Sequence, residues 1–326
     1  MRPAWSIIGF TTLAGLAQGF FLAVLALEVF AGGAWRSTDF ASAVWFSLTL
    51  LGLGLAASVA HLGQPLRGWR AASQWRTSWL SREVIVLPAL MAAVGLHALL
   101  LQYGLDVASP PVRASGLVAA LLCLALWLCT GMIYAALRMI REWATVLTPW
   151  CFAAIGMASG TGLAAWWFSG TSAADATLAR HSLAILAACA CAATLVAAAI
   201  KGAWLRRCHL LRPRSTLQSA LGIAHPQIRQ LSMGMTGGGF NQREFLHRKA
   251  GAIGRWPALL MALGGAVTPL VAYAFAWQQA LQAVVPAPTL LLALGLSSQL
   301  LAVLLERWLF FACVQHPQNL YYQRKS

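Results

Sequence analysis

Residues 41–61 read ASAVWFSLTLLGLGLAASVAH, and residues 83–104 read EVIVLPALMAAVGLHALLLQYG. Each run is about the 20 residues that an α-helix needs to cross a hydrocarbon core. Between them lie His61-Leu62-Gly63-Gln64-Pro65-Leu66-Arg67, three tryptophans (Trp69, Trp75, Trp79), and Ser81-Arg82-Glu83. The pattern is a transmembrane hairpin with one polar linker. His61 closes the first run and Glu83 opens the second, so both stand at similar depth just inside one membrane face. Ionisable residues at that depth are costly and mark functional positions.

The rest of the chain repeats the apolar pattern. It has 326 residues, 60% hydrophobic and 10% charged, with mean hydropathy +0.69. Runs at 5–31, 41–61, 83–104, 114–137, 147–169, 181–204, 256–280 and 288–314 are each long enough to span. The expected fold class is therefore all-α, an integral membrane bundle of eight transmembrane helices. It forms a single polytopic domain over 1–326 with a basic loop at 206–255. The first run, Trp5 to Phe30, is too long for a signal-peptide core and reads as a retained helix.

The net charge of +15 comes from 23 Lys/Arg against eight acidic residues. In a soluble protein that excess points to nucleic acid. Here the basic residues sit between apolar runs, so topology and anionic lipid explain them. The linkers after spans two, four and six, with their flanks, hold 16 of the 23, and those after spans one, three and five hold Arg36, Arg113 and Arg180. The positive-inside rule then puts both termini, His61 and Glu83 on the cytoplasmic side of a bacterial inner membrane.

An imidazole and a carboxylate near one face suit a lipid-soluble carrier of protons and electrons, and a quinone is the obvious one. Histidine donates to or accepts from a quinone carbonyl near neutral pH, and glutamate relays the proton. Arg67, Arg70, Arg76 and Arg82 in the same linker give it the character of a head-group pocket. The competing reading makes His61 a helix-end residue bonded to backbone or lipid, and Glu83 a partner for Arg82 or Arg67. Gln18, mid-span in the first helix, reads as a helix-bridging amide or a ligand contact. Glu28 reads as reaching the interface. Glu306 and Arg307 are neighbours in the last span. Adjacent positions do not face each other, so each is expected to pair with another helix.

The chain offers no redox centre of its own. None of its seven cysteines forms a Cys-x-x-Cys, and iron–sulfur or zinc spacings are missing. His97 and His181 are the only pair with any claim to haem ligation, and their depths match poorly. Electrons must come from a partner approaching on the cytoplasmic side. The loop at 206–255, with Arg206, Arg207 and the string Gly237-Gly238-Gly239-Phe240-Asn241-Gln242-Arg243, reads as a docking platform for that partner; contact with lipid head groups is the plainer alternative. The rival class, a stand-alone transporter, predicts polar groups at mid-bilayer in repeated halves, and no clear inverted repeat is visible.

The His61-Leu-Gly-Gln-Pro string and Leu80-Ser-Arg-Glu83 resemble the signature of the dimethyl sulfoxide reductase membrane-anchor family. The end of the last span, Glu306-Arg-Trp-Leu-Phe-Phe311, is similar to that family's last helix. The long basic loop and the opening Arg2-Pro-Ala-Trp-Ser6 look like the branch that anchors cytoplasmic sulfite-oxidising molybdoenzymes. The resemblance implies eight helices anchoring a molybdopterin catalytic subunit and a four-cluster ferredoxin-like subunit on the cytoplasmic side. Molybdopterin and 4Fe-4S clusters then reside in the partners only. It also implies a quinone site, for ubiquinone or menaquinone, at His61 and Glu83, with no haem. Arg67, Arg82 and Gln18 complete the expected quinone and proton set. Arg206, Arg207, Phe240, Asn241 and Arg243 complete the expected docking set.

Overall fold

The computed structural model describes residues 3–60, 62–211, 216–228, 256–282 and 289–314. Eight helices among them are long and apolar enough to cross a membrane. They are α1 (Trp5–Ala31), α2 (Ser37–Val59), α3 (Trp79–Gln102), α4 (Pro110–Ala135), α5 (Leu147–Ser169), α6 (Ala176–Leu210), α7 (Trp256–Leu281) and α8 (Thr289–Ala312). The chain is a multi-pass all-α membrane protein, as its apolar runs predict.

Local chemistry sets the helix ends. Ser78 accepts from the Ser81 amide and starts α3, and Asp175 accepts from the Thr177 and Leu178 amides and starts α6. Such caps satisfy amides that a helix start leaves unpaired. Pro110 begins α4, where the missing N–H costs nothing. Because caps lie in polar sequence, α2, α3 and α4 each start four residues before their apolar runs. Glu83 therefore lies one turn inside α3 instead of opening it. The 35 residues of α6 make about 52 Å, well beyond a core of about 30 Å, so its end stands clear of the hydrocarbon. A π turn at Leu263–Val267 interrupts α7, and Pro88 lies within α3.

Loop contacts fix the alternation of the helices. The Ala174 amide bonds the Ala34 carbonyl at 2.9 Å, joining the α1–α2 and α5–α6 turns on one face. On the opposite face, Trp143 in the α4–α5 turn donates to the Phe310 carbonyl near the end of α8 at 3.1 Å. That second face carries the arginine-rich linkers and is called the basic face below.

α1 is the centre of the bundle and packs on α2 and α5. Its contact with α5 is made by two pairs of glycines, Gly15 and Gly19 against Gly156 and Gly160. A Cβ on Gly19 would fall 2.0 Å from the Gly156 carbonyl oxygen, and one on Gly160 would fall 2.1 Å from the Gly19 carbonyl carbon. Both helices carry small residues four apart, the spacing that lets membrane helices approach backbone to backbone. Polar bonds add to the packing. Ser47 donates to the Ala17 carbonyl at 3.0 Å. Tyr273 donates to Gln299 Oε1 at 2.9 Å, and Gln299 Nε2 donates to Thr194 at 3.1 Å, linking α7, α8 and α6.

Candidate functional site

Glu83 lies four residues past the start of α3, about 6 Å along it, and is only 5% exposed. Its Oε1 accepts a hydrogen bond from the Thr130 hydroxyl of α4. Glu83 does not pair with Arg82. That guanidinium turns outward, giving Nε to the Trp75 carbonyl and Nη2 to the Arg76 carbonyl, each at 2.9 Å, while its Cζ stands 4.2 Å from the Trp79 ring centre. The carboxyl group is thus sunk beneath the linker and steered by a neutral donor.

The linker above it is partly ordered as a 3₁₀ helix, Pro65–Gln74, where the sequence suggests only a polar connection. Arg67, Arg70 and Arg76 are exposed. Arg70 and Arg76 stack on their neighbours Trp69 and Trp75, at 5.7 and 5.5 Å, and do not converge on Glu83. His61 lies outside the described residues. Gln18 is buried mid-way along α1, and its Nε2 bonds its own helix at the Ala14 carbonyl, 2.8 Å away; its Oε1 has no partner among the described residues.

Beside Glu83, an aromatic cluster fills the basic end of the bundle. Tyr134 of α4 stacks on Phe152 at 5.6 Å, and Trp143 stacks on Phe310 at 5.3 Å. Beyond it lies a buried charge triplet that the sequence does not announce. Lys201 of α6 bonds Glu306 at 2.6 Å, and Arg307 Nε reaches the same carboxylate at 2.8 Å. The expectation that Glu306 and Arg307 both seek other helices is half corrected. Glu306 does find α6. Arg307 curls back to its neighbour, because its long arm reaches the nearest carboxylate while its Cζ rests 3.9 Å from the Phe152 ring centre. No spacing rule links Lys201 to a residue 105 positions away, and by sequence alone Lys201 is only a topology marker.

Of the expected docking residues, Arg206 is exposed on the projecting end of α6. Arg207 holds the α4–α5 turn, with Nη1 on the Arg141 carbonyl at 2.9 Å and Nη2 on the Ala144 carbonyl at 3.3 Å. Phe240, Asn241 and Arg243 lie outside the described residues.

Glu28 is also corrected. It does not reach the interface; it is 5% exposed and its Oε2 meets His97 Nε2 at 2.9 Å. Each partner makes the other's burial tolerable, since an unpaired ionisable group in hydrocarbon is costly.

What this geometry can do chemically is hold or yield a proton at Glu83, one helical turn below an arginine- and tryptophan-rich surface. Comparison with known proteins gives that arrangement a context. Residues 1–223 match the family model described as DMSO reductase anchor subunit (DmsC). The C subunit of the sulfite dehydrogenase of Allochromatium vinosum is 39% identical over 348 aligned positions, covering 99% of this chain and 99% of the relative. The family match spans α1 to α6, the relative covers nearly the whole chain, and the chain belongs to the DMSO reductase anchor subunit family.

Proposed function

We propose that this chain is the membrane anchor and quinone-binding subunit of a molybdopterin/iron–sulfur oxidoreductase, and that the complex oxidises sulfite and reduces quinone. The observation that carries the reading is Glu83, buried one turn inside the basic face and held by Thr130. The basic face is the cytoplasmic face of a bacterial inner membrane by its arginine excess. There the chain meets a ferredoxin-like subunit and a molybdopterin subunit. Near-full-length similarity to the C subunit of a sulfite dehydrogenase supports sulfite as the substrate.

The residues present fit a quinone head group. A protonatable carboxyl stands under a linker that carries Trp69 and Trp75, with Trp79 at the start of α3, at the depth where a polar head meets an apolar wall. A quinone bound there supplies two-electron, two-proton chemistry. Glu83 takes or gives the proton, Thr130 holds its Oε1 in one orientation, and Arg82 anchors the linker that roofs it. His61, at the other end of the linker, joins this set on the strength of its motif. Ubiquinone and menaquinone both satisfy this chemistry.

The family description favours a second reading, an anchor that oxidises menaquinol for a dimethyl sulfoxide or related S- or N-oxide reductase. The site's proton chemistry runs in either direction. Purification of the native complex decides between them: molybdenum and iron co-purify in both, sulfite-dependent quinone reduction marks the first, and quinol-dependent S-oxide reduction the second. Glu83→Gln is expected to lower quinone-linked turnover by about 10²–10⁴, with the catalytic subunit's rate toward an artificial electron carrier unchanged. Unchanged quinone-linked turnover in an assembled variant refutes the site.

A further inference from the structure

Toward the basic face, α5, α6, α7 and α8 surround a cavity of about 230 Å³ that the quinone chemistry does not use. Its walls are mostly alanine and glycine, and Lys201 and Glu306 are its charged members. On α7 the lining runs from Ala258 to Ala266, eight residues or about 12 Å of helix. One leaflet is half of a core of about 30 Å, so the cavity runs through most of it. The charged pair lies at the end nearer the basic face. Gln299 lies deeper, with its amide already committed to Tyr273 and Thr194. Ala198 and Gly202 of α6 and Ala258 and Ala262 of α7 line the cavity and are exposed. The cavity therefore opens sideways between these two helices, at membrane depth.

The π turn at Leu263–Val267 forms part of the wall. It is pinned to α8: Ser298 donates to the Gly264 carbonyl at 3.0 Å, and a Cβ on Gly265 would stand 3.1 Å from the Ala302 Cβ. Single π turns in α-helices are frequent at functional positions. Small side chains on the facing helices leave the gap toward α6 unfilled. A void forfeits contacts along its wall, and a hydrocarbon chain entering from the bilayer restores them. An apolar cavity of about 150 Å³ already takes a benzene molecule, so a length of chain has room here.

The upper end of the cavity is cationic. Lys201 and Arg307 share the carboxylate of Glu306, which leaves the triplet one positive charge in excess inside the bundle. Lys201 is 7% exposed. Its ammonium group bonds Glu306 and stands 3.9 Å from the Trp204 ring centre, and it has three hydrogens to give. Arg206 follows Gly202 by four positions, so it stands one turn above the opening on the same side of α6, and it is exposed. One cation in the wall and one above the mouth bracket the level of a lipid phosphate. Basic pockets between membrane helices are known to take acidic lipid head groups.

We propose that this cavity binds one anionic phospholipid from the leaflet at the basic face, with its phosphate between Lys201 and Arg206 and one acyl chain along α7. Arg206 then serves the lipid and not a protein partner. The lipid completes the packing where α7 stands off α6, and the site is separate from Glu83 and its chemistry.

The test is native mass spectrometry of the purified complex titrated with phosphatidylglycerol or phosphatidylcholine. One phosphatidylglycerol per copy of this chain should stay bound, favoured over phosphatidylcholine by about tenfold, and Arg206→Gln should remove about fivefold of that preference. Ala262→Phe places a ring in the opening from an exposed position and should abolish the retained lipid. Should that variant fail to assemble, the wild-type complex still decides: phosphatidylglycerol with a photoreactive group in its acyl chain should crosslink to the α6 and α7 residues that line the cavity. Equal retention of the two lipids, retention unchanged by Ala262→Phe, crosslinks confined to other helices, or loss of a bound quinone in place of a lipid from Ala262→Phe overturns the proposal.

Discussion

Thr130 on α4 donates its hydroxyl to Glu83 on α3 across 47 residues of sequence. The bond joins a helix that ends at the basic face to one that begins there, and it fixes one oxygen of a carboxyl group that would otherwise rotate freely. Orientation of a proton-transferring group matters because the reacting atoms must approach within hydrogen-bond distance.

Thr130→Val keeps the shape and removes the donor. A hydrogen bond to a charged group contributes about 1.5–3 kcal/mol, so quinone-linked turnover should fall on the order of tenfold to a hundredfold. Thr130→Ser should retain most of it. Steady-state assays with a quinone and with an artificial carrier separate this loss from misassembly, because only the first rate should change.

The α1–α5 contact has no space for a side chain. Gly160→Leu would force its Cβ into the α1 backbone, to 2.1 Å from the Gly19 carbonyl carbon. Overpacking typically costs about 1–3 kcal/mol, and backbone collision places this substitution at or above the top of that range. The expected result is loss of folded protein from the membrane, read by size-exclusion profile and thermal unfolding in detergent. Gly170→Leu is the control, since a Cβ there meets only the Trp167 carbonyl at 3.8 Å.

The buried triplet should respond asymmetrically. Lys201→Met leaves Glu306 paired with Arg307, whereas Glu306→Met leaves two cations without a counter-charge. Removing one partner of a buried ion pair costs about 3–5 kcal/mol. Glu306→Met should therefore reach that range and Lys201→Met fall short of it. Thermal midpoints in one detergent check the order; equal losses would contradict it.

Sidedness is open to direct labelling. Cysteines placed at Ala71, in the 3₁₀ linker, and at Ala108, in the α3–α4 turn, are both at exposed positions on opposite faces. A membrane-impermeant thiol reagent added to intact spheroplasts should modify Ala108→Cys and spare Ala71→Cys. The reverse pattern would invert the topology.

The spans are legible in the sequence because a run of about 20 apolar residues has few other uses, and Glu83 is legible because a carboxylate at the edge of such a run is conspicuous. Its depth is not, since the Ser78 cap lengthens α3 into polar sequence. Thr130 gives no signal: a threonine in a membrane helix normally bonds its own backbone, as Thr194 does to the Ala190 carbonyl at 2.7 Å. Glu28 and His97 are each visible but stay separate, because nothing local joins residues 69 positions apart. Arg207 looks like a docking cation and instead holds a turn, a distinction that only the position of the Arg141 and Ala144 carbonyls makes. Glycine spacing on α1 and α5 is present in the sequence and becomes meaningful only once the two helices are known to meet.

That last contact bears on how the protein is made. α1 is the first of the eight helices to leave the ribosome, yet its glycine seat on α5 and the histidine that answers Glu28 are synthesised several spans later. Until then it carries the Glu28 carboxyl group among lipid chains with no histidine to receive it. Membrane insertion of this chain must therefore shelter its opening helix, and mutations that weaken α5 should show first as premature degradation of nascent protein, before any electron has moved.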